Sequence, residues 1–164
     1  MKTLLFGCGT RDFTASAGIL ALRLGFGLMM LVGHGLPKLR NFQAILDKGF
    51  YTPDFFPLNW MSTPVSLGAA VAAEFFGAML IILGLATRWA ALALGFTMVV
   101  AAFAVHGEAP WFLGPGVTYA KEPALIYLAA MIALILAGPG RFSLDALLDK
   151  PRKGRMKIAL GGIS

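Results

Sequence analysis

Cysteine is nearly absent from this chain: Cys8 is the only one in 164 residues. A single cysteine excludes an intramolecular disulfide and any CxxC pair, so dithiol exchange within one chain is ruled out. Charge is scarce too. Only 13% of the residues are charged, about half the share that a soluble domain uses to cover its surface. The chain also lacks a glycine-rich phosphate loop after a strand, a nucleophile elbow and a Ser/His/Asp order suited to acyl transfer. Its two histidines, His34 and His106, have no recognised ligand spacing with Glu108 or Glu122, so no metal is expected. Both fall at helix ends rather than deep in a bundle, which argues against bis-histidine haem.

Apolar residues take the place of what is missing. They make up 58% of the chain, and the mean hydropathy is +0.77. The length would suit one soluble domain, but the composition predicts an all-α polytopic membrane protein. The net charge of +6 is spread over segment ends rather than over one soluble face. Anionic lipid headgroups, and not nucleic acid, are therefore the expected partner.

Taken in order, a short lead containing Lys2, Arg11 and Asp12 precedes a first spanning helix at Thr14–Gly33. A secretory signal is the competing reading, but Arg23 interrupts the apolar run and no clean small-x-small cleavage site comes after it. Leu39, Phe42, Ile45, Leu46 and Phe50 then recur at helical spacing, which predicts a short amphipathic helix at the interface in the first outer loop. Tyr51, Phe55, Phe56 and Trp60 come next among prolines, as in an aromatic belt. Further spans are expected at Val65–Ala86, Trp89–Val105 and Pro123–Ala137, the last stopped by Gly138-Pro139-Gly140. Ser143 can cap a brief helix through Leu148. This gives one four-transmembrane-helix bundle over residues 1–148, with a basic tail over 149–164.

The distribution of Lys and Arg sets the expected topology. With both termini on one side, that side holds Lys2, Arg11, Arg88, Arg141, Lys150, Arg152, Lys153, Arg155 and Lys157. The other side holds Lys38, Arg40, Lys48 and Lys121. The excess puts both termini in the cytoplasm. Lys150, Arg152, Lys153, Arg155 and Lys157 are then expected to touch lipid headgroups, each contributing about 1 kcal/mol beside an anionic leaflet.

Two charged residues stand inside spans. Arg23 lies roughly 14 Å from the start of the first helix at 1.5 Å per residue, and Glu74 lies a similar distance inside its own antiparallel helix. Both are expected near the midplane and paired, because an isolated charge in hydrocarbon is costly. Arg23, Gly27, Met30 and His34 share one helical stripe. His106, Lys121 and Glu122 are expected at outer helix ends, with Tyr127 about a turn inside. Together, Arg23, Glu74, His34, His106, Lys121, Glu122 and Tyr127 predict an intramembrane polar column that opens to the outer face. Plainer readings stand beside this one: the Arg–Glu pair can simply lock helix register, the histidines can be interfacial anchors, and the glycines can let helices approach.

Arg23, Gly27, His34-Gly35 and Lys38-Leu39 resemble the first segment of DoxX-family membrane proteins. So do Glu74-Phe-Phe-Gly77, Leu83-Gly-Leu-Ala-Thr-Arg88, His106, Lys121-Glu122-Pro123-Ala-Leu-Ile-Tyr127 and Gly138-Pro-Gly-Arg-Phe-Ser-Leu-Asp145. The resemblance runs from about Ala15 to Asp145. It implies a multi-pass protein of the bacterial inner membrane with redox or quinone connections, since relatives include the small membrane subunit of a thiosulfate:quinone oxidoreductase. It carries over no catalytic residue.

Three functions stand as expectations. The first is a small quinone-linked or redox-complex subunit, in which protonatable Glu74, His34 and His106 surround a quinone headgroup. With no redox centre of its own, such a chain is an accessory subunit of redox enzyme partners rather than a complete enzyme. The second is a homo-oligomeric passage for a small molecule or ion, gated by Glu74. The third is a structural anchor that takes no ligand.

Overall fold

The computed structural model describes residue 7 and residues 9–149. Cys8 and the predicted headgroup contacts Lys150, Arg152, Lys153, Arg155 and Lys157 lie outside the described residues. All regular structure among the described residues is helical: α1 (Phe13–Arg40), α2 (Phe42–Lys48), α3 (Thr63–Leu83), α4 (Thr87–Val105), α5 (Glu122–Ala137) and α6 (Leu144–Leu148).

α1 begins where the Asp12 carboxylate accepts a hydrogen bond from the Ala15 amide at 2.7 Å, satisfying one of the first-turn donors. It does not stop at Gly33. Over Leu31–Gly35 the helix widens into a π turn, and the Leu36 amide reaches back five residues to the Leu31 carbonyl. Pro37 comes directly after, so its missing amide proton falls where the ladder has already been reset. The helix thereby gains a further turn and more beyond the expected end, and Lys38 becomes part of the bundle.

α3 ends early, at Leu83 rather than Ala86, because Gly84 takes a left-handed conformation at φ 70°. Ala86 sits at φ 47°, unusual for a residue with a Cβ. α5 ends as expected at Gly138, and α6 starts on the Ser143 hydroxyl, which accepts from the Ala146 amide at 3.1 Å.

α1, α3, α4 and α5 form a ring in which each helix packs on the next and α5 closes back onto α1. Small residues let the axes approach: Ala73, Ala78, Ala90, Ala91, Ala102 and Ala130 are buried between Met30, Ile81, Leu94, Met131 and Leu134. The perimeter is apolar, with Leu28, Val32, Phe76, Leu92, Phe103, Ile126 and Leu136 exposed. Such a surface suits hydrocarbon rather than water. α1, α3 and α4 are each long and apolar enough to cross a membrane, while α5 is shorter at 16 residues.

Candidate functional site

Between the four helices, at the end of the bundle opposite α6, lies a cavity of about 650 Å³. The segments 49–61 and 113–120 close over it. Most of its wall is apolar or aromatic, including Met30, Phe50, Phe96 and Val100. Into it converge Glu74 from α3, His34 and Lys38 from α1, His106 from the end of α4, and Tyr127 from α5. α1 and α4 are not neighbours in the ring, so the two histidines face the cavity from diagonally placed helices.

Each of the three long helices carries one π turn, and all three lie beside this cavity. Leu31–Gly35 holds His34, Ala72–Gly77 holds Glu74, and Ala101–Val105 immediately precedes His106. A π turn adds one residue to a helical turn, so it rotates the next residues about the axis and frees a side chain from the packed face. On α1 this is visible in the stripe itself. Ser16, Arg23, Gly27 and Met30 are buried, but the next buried position is Gly35 rather than His34. His34 is turned out of the helix contact and into the cavity, where its ring meets Tyr127 edge-on at 5.9 Å. Gly35 is required in its place. A Cβ there would lie 2.5 Å from the Glu74 carbonyl oxygen, so only glycine lets α1 and α3 meet at this level.

Glu74 is almost fully buried, and Lys38 Nζ donates to both of its carboxylate oxygens. A buried carboxylate without such a partner would be driven to protonate or to break the packing. On the other side of the cavity the His106 ring stacks against Tyr119 at 6.1 Å. Lys38 and His34 also line a smaller crevice of about 350 Å³ beneath the α1–α2 elbow, together with Asn41 and Lys48.

The structure corrects the expected Arg23–Glu74 pair. Gly35 lies against the backbone of Glu74, and Gly27 lies against Ile82. In that antiparallel register Arg23 sits twelve residues before Gly35, ~18 Å along the axis, beside the far end of α3. There it is 1% exposed and donates to the carbonyls of Ile81, Ile82, Pro139 and Phe142 at 2.8–2.9 Å. The misplacement comes from ending the first helix at Gly33. Once α1 runs to Arg40, its middle moves well past Arg23.

A second polar residue, Asp145, completes that end. It is buried and accepts from the Ala86 amide (2.8 Å), the Thr87 amide (3.1 Å) and the Thr87 hydroxyl (3.2 Å), holding the strained α3–α4 turn. Arg88 donates to the Ile135 and Gly7 carbonyls nearby. The result is a polar knot in which these groups are bonded to the chain itself, chiefly to its backbone.

Two other expected members are also placed elsewhere. Lys121 is buried with its Nζ 4.8 Å from the Trp111 ring centre, and Glu122 accepts from the Leu113 amide at 2.9 Å. Neither lines the cavity. They brace the 108–121 loop that covers it. The cavity therefore gathers Glu74, His34, His106 and Tyr127 from the expected set and adds Lys38. The signal for Lys38 is its i+4 spacing from His34, which counts only if α1 continues past Gly33. Among the described residues, no group of three His, Cys, Asp or Glu side chains is arranged to hold a metal ion.

A family model, DoxX, matches residues 18–107, more than half of the chain, with α2, α3, α4 and all but the start of α1. The chain belongs to the DoxX family. An uncharacterized protein of Haemophilus influenzae is 30% identical over 105 residues, which cover 63% of this chain and 68% of the relative. No solved structure matches. The matched stretch of this DoxX protein holds Glu74, His34, Lys38 and His106, while Tyr127 lies beyond it. Family membership makes it a small membrane protein; a shared fold by itself assigns no ligand.

Proposed function

We propose that this DoxX-family chain is the membrane subunit of a redox complex and holds a quinone-type lipid in its cavity. One observation carries the reading: a largely apolar cavity of about 650 Å³ on which an ion pair, two histidines and a tyrosine converge. Its size falls within the range of small-molecule sites, and such sites join apolar walls to a few placed polar groups. A quinone ring offers two opposed carbonyl oxygens, which suits donors that approach from diagonal helices. His34 and His106 would bond those oxygens and exchange protons with them; electrons would come from a partner subunit.

In this reading α1, α3, α4 and the shorter α5 span a bacterial inner membrane with both termini in the cytoplasm. α2 then lies at the outer interface, the cavity opens toward the outer face, and the tail from Lys150 to Lys157 clamps the inner leaflet.

The test is quinone analysis and native mass spectrometry of the detergent-purified protein, with Trp fluorescence titration by decyl-ubiquinone. A stoichiometric bound quinone and saturable quenching are expected, with affinity lowered at least tenfold in the His34→Ala, His106→Ala double variant. No bound quinone and no saturation would overturn the reading. A folded, ligand-free protein would then point to a structural anchor, and solute uptake into liposomes to a passage.

A further inference from the structure

The charges around the cavity are arranged in a way that goes beyond holding a ligand. Of the residues that line it, only Lys38 and Glu74 carry full charges, and each is committed to the other. Lys121, which is also buried, is turned to Trp111 and does not reach the wall. Glu74 is 5% exposed in its side chain and Lys38 25%, so the carboxylate is the inner partner and Lys38 reaches it from the cavity edge. The other polar side chains that line the cavity are uncharged donors or acceptors when neutral: His34 on α1, His106 on α4, Tyr127 on α5, Tyr51 and Tyr119 in the covering segments, and a few serine and threonine hydroxyls.

We infer that Glu74 sets the ligand class of the cavity by neutralising Lys38, so that the site takes uncharged ring-bearing amphiphiles and rejects anionic ones. An anion that entered would leave water and meet no free cation, while the buried Glu74 carboxylate would repel it. Burial of an uncompensated charge is costly, whereas a neutral carbonyl needs only one hydrogen bond. A lysine left without Glu74 would be a ready anion site at the same place. The ion pair thus acts as a specificity device in which the repulsive element matters as much as the attractive one. This inference rests on the cavity being the ligand site proposed above.

The experiment uses a long-chain 2-hydroxy-1,4-naphthoquinone, which is neutral at acidic pH and an anion at neutral pH, beside decyl-ubiquinone, which stays neutral throughout. Both are titrated against the full-length purified protein by Trp fluorescence. The hydroxynaphthoquinone is expected to bind roughly tenfold or more weakly once ionised, while decyl-ubiquinone binding varies by less than about threefold over the same range. Glu74→Gln should abolish that discrimination or invert it, read as the ratio of hydroxynaphthoquinone to decyl-ubiquinone affinity within the same variant. Lys38→Met should keep the rejection, because it leaves no lysine for an anion to meet even where the unpaired Glu74 takes up a proton, and it serves as the second arm if Glu74→Gln fails to fold. Equal binding of neutral and ionised ligand by the unaltered protein overturns the inference while leaving the quinone site standing. Failure of both compounds to bind overturns the proposed site itself.

Discussion

The two ends of the bundle use buried polar groups in opposite ways. At the α6 end, Arg23 and Asp145 are surrounded by fixed backbone partners: the guanidinium donates to carbonyls, and the carboxylate accepts from amides. At the other end, Glu74 is held by one long side chain, and His34, His106 and Tyr127 present ring atoms to open space. The first arrangement closes helix termini whose carbonyls would otherwise be unpaired in an apolar setting. The second leaves polar capacity unspent, which is what a binding site requires. A buried charge in a membrane helix is therefore not one kind of signal. Its meaning depends on whether its partners are backbone or side chain.

Breaking the knot should have the largest effect. Arg23→Leu removes the donor for four carbonyls, and each orphaned buried acceptor costs about 1–3 kcal/mol. The variant is expected to lose its folded state in detergent, visible as the loss of a cooperative thermal transition. A transition as high as that of the unaltered protein would show that the carbonyls find other partners. Asp145→Ala comes next. It frees the Ala86 and Thr87 amides at a backbone already at φ 47°, and should cost about 2–4 kcal/mol, read from chemical denaturation.

At the cavity end the same kinds of change should affect binding more than stability. Gly35→Ala drives a methyl against the Glu74 backbone and is expected to cost about 1–3 kcal/mol while distorting the cavity mouth. Decyl-ubiquinone affinity should fall with it; unchanged affinity would separate the α1–α3 approach from the site. Tyr127→Phe removes one hydroxyl from a half-buried ring and keeps its edge contacts with Phe26 and His34. Stability should change by less than about 1 kcal/mol, with at most a few-fold loss in binding. If it destabilised as much as Asp145→Ala, the contrast between the two ends would not hold.

Much of the molecule is legible in the chain. The apolar spans, the stop at Gly138-Pro139, the Ser143 cap and four of the cavity's polar residues all come from period, composition and turn chemistry. Helix ends are the weak point. The π turns carry no simple sequence mark, so the continuation of α1 to Arg40 escapes a reading of the sequence, and Lys38, which extends the His34 edge, is placed beyond the membrane rather than on Glu74. Arg23 draws the wrong partner in such a reading because carbonyl oxygens have no residue identity. Every residue has one, and only the fold decides which four meet in one place.

The sequence by itself determined that this is a helical, apolar protein with a buried carboxylate and histidines disposed toward one end. Those properties arise from residue type and local periodicity, which need no neighbours. Tertiary structure alone decided that Glu74 faces Lys38, that Arg23 ties the opposite end, and that a cavity lies between the helices. Each of these is set by the register in which α1 passes α3. That register is fixed above all at Gly35, where the two backbones come closer than a Cβ would allow, with Gly27 packed against the Ile82 side chain.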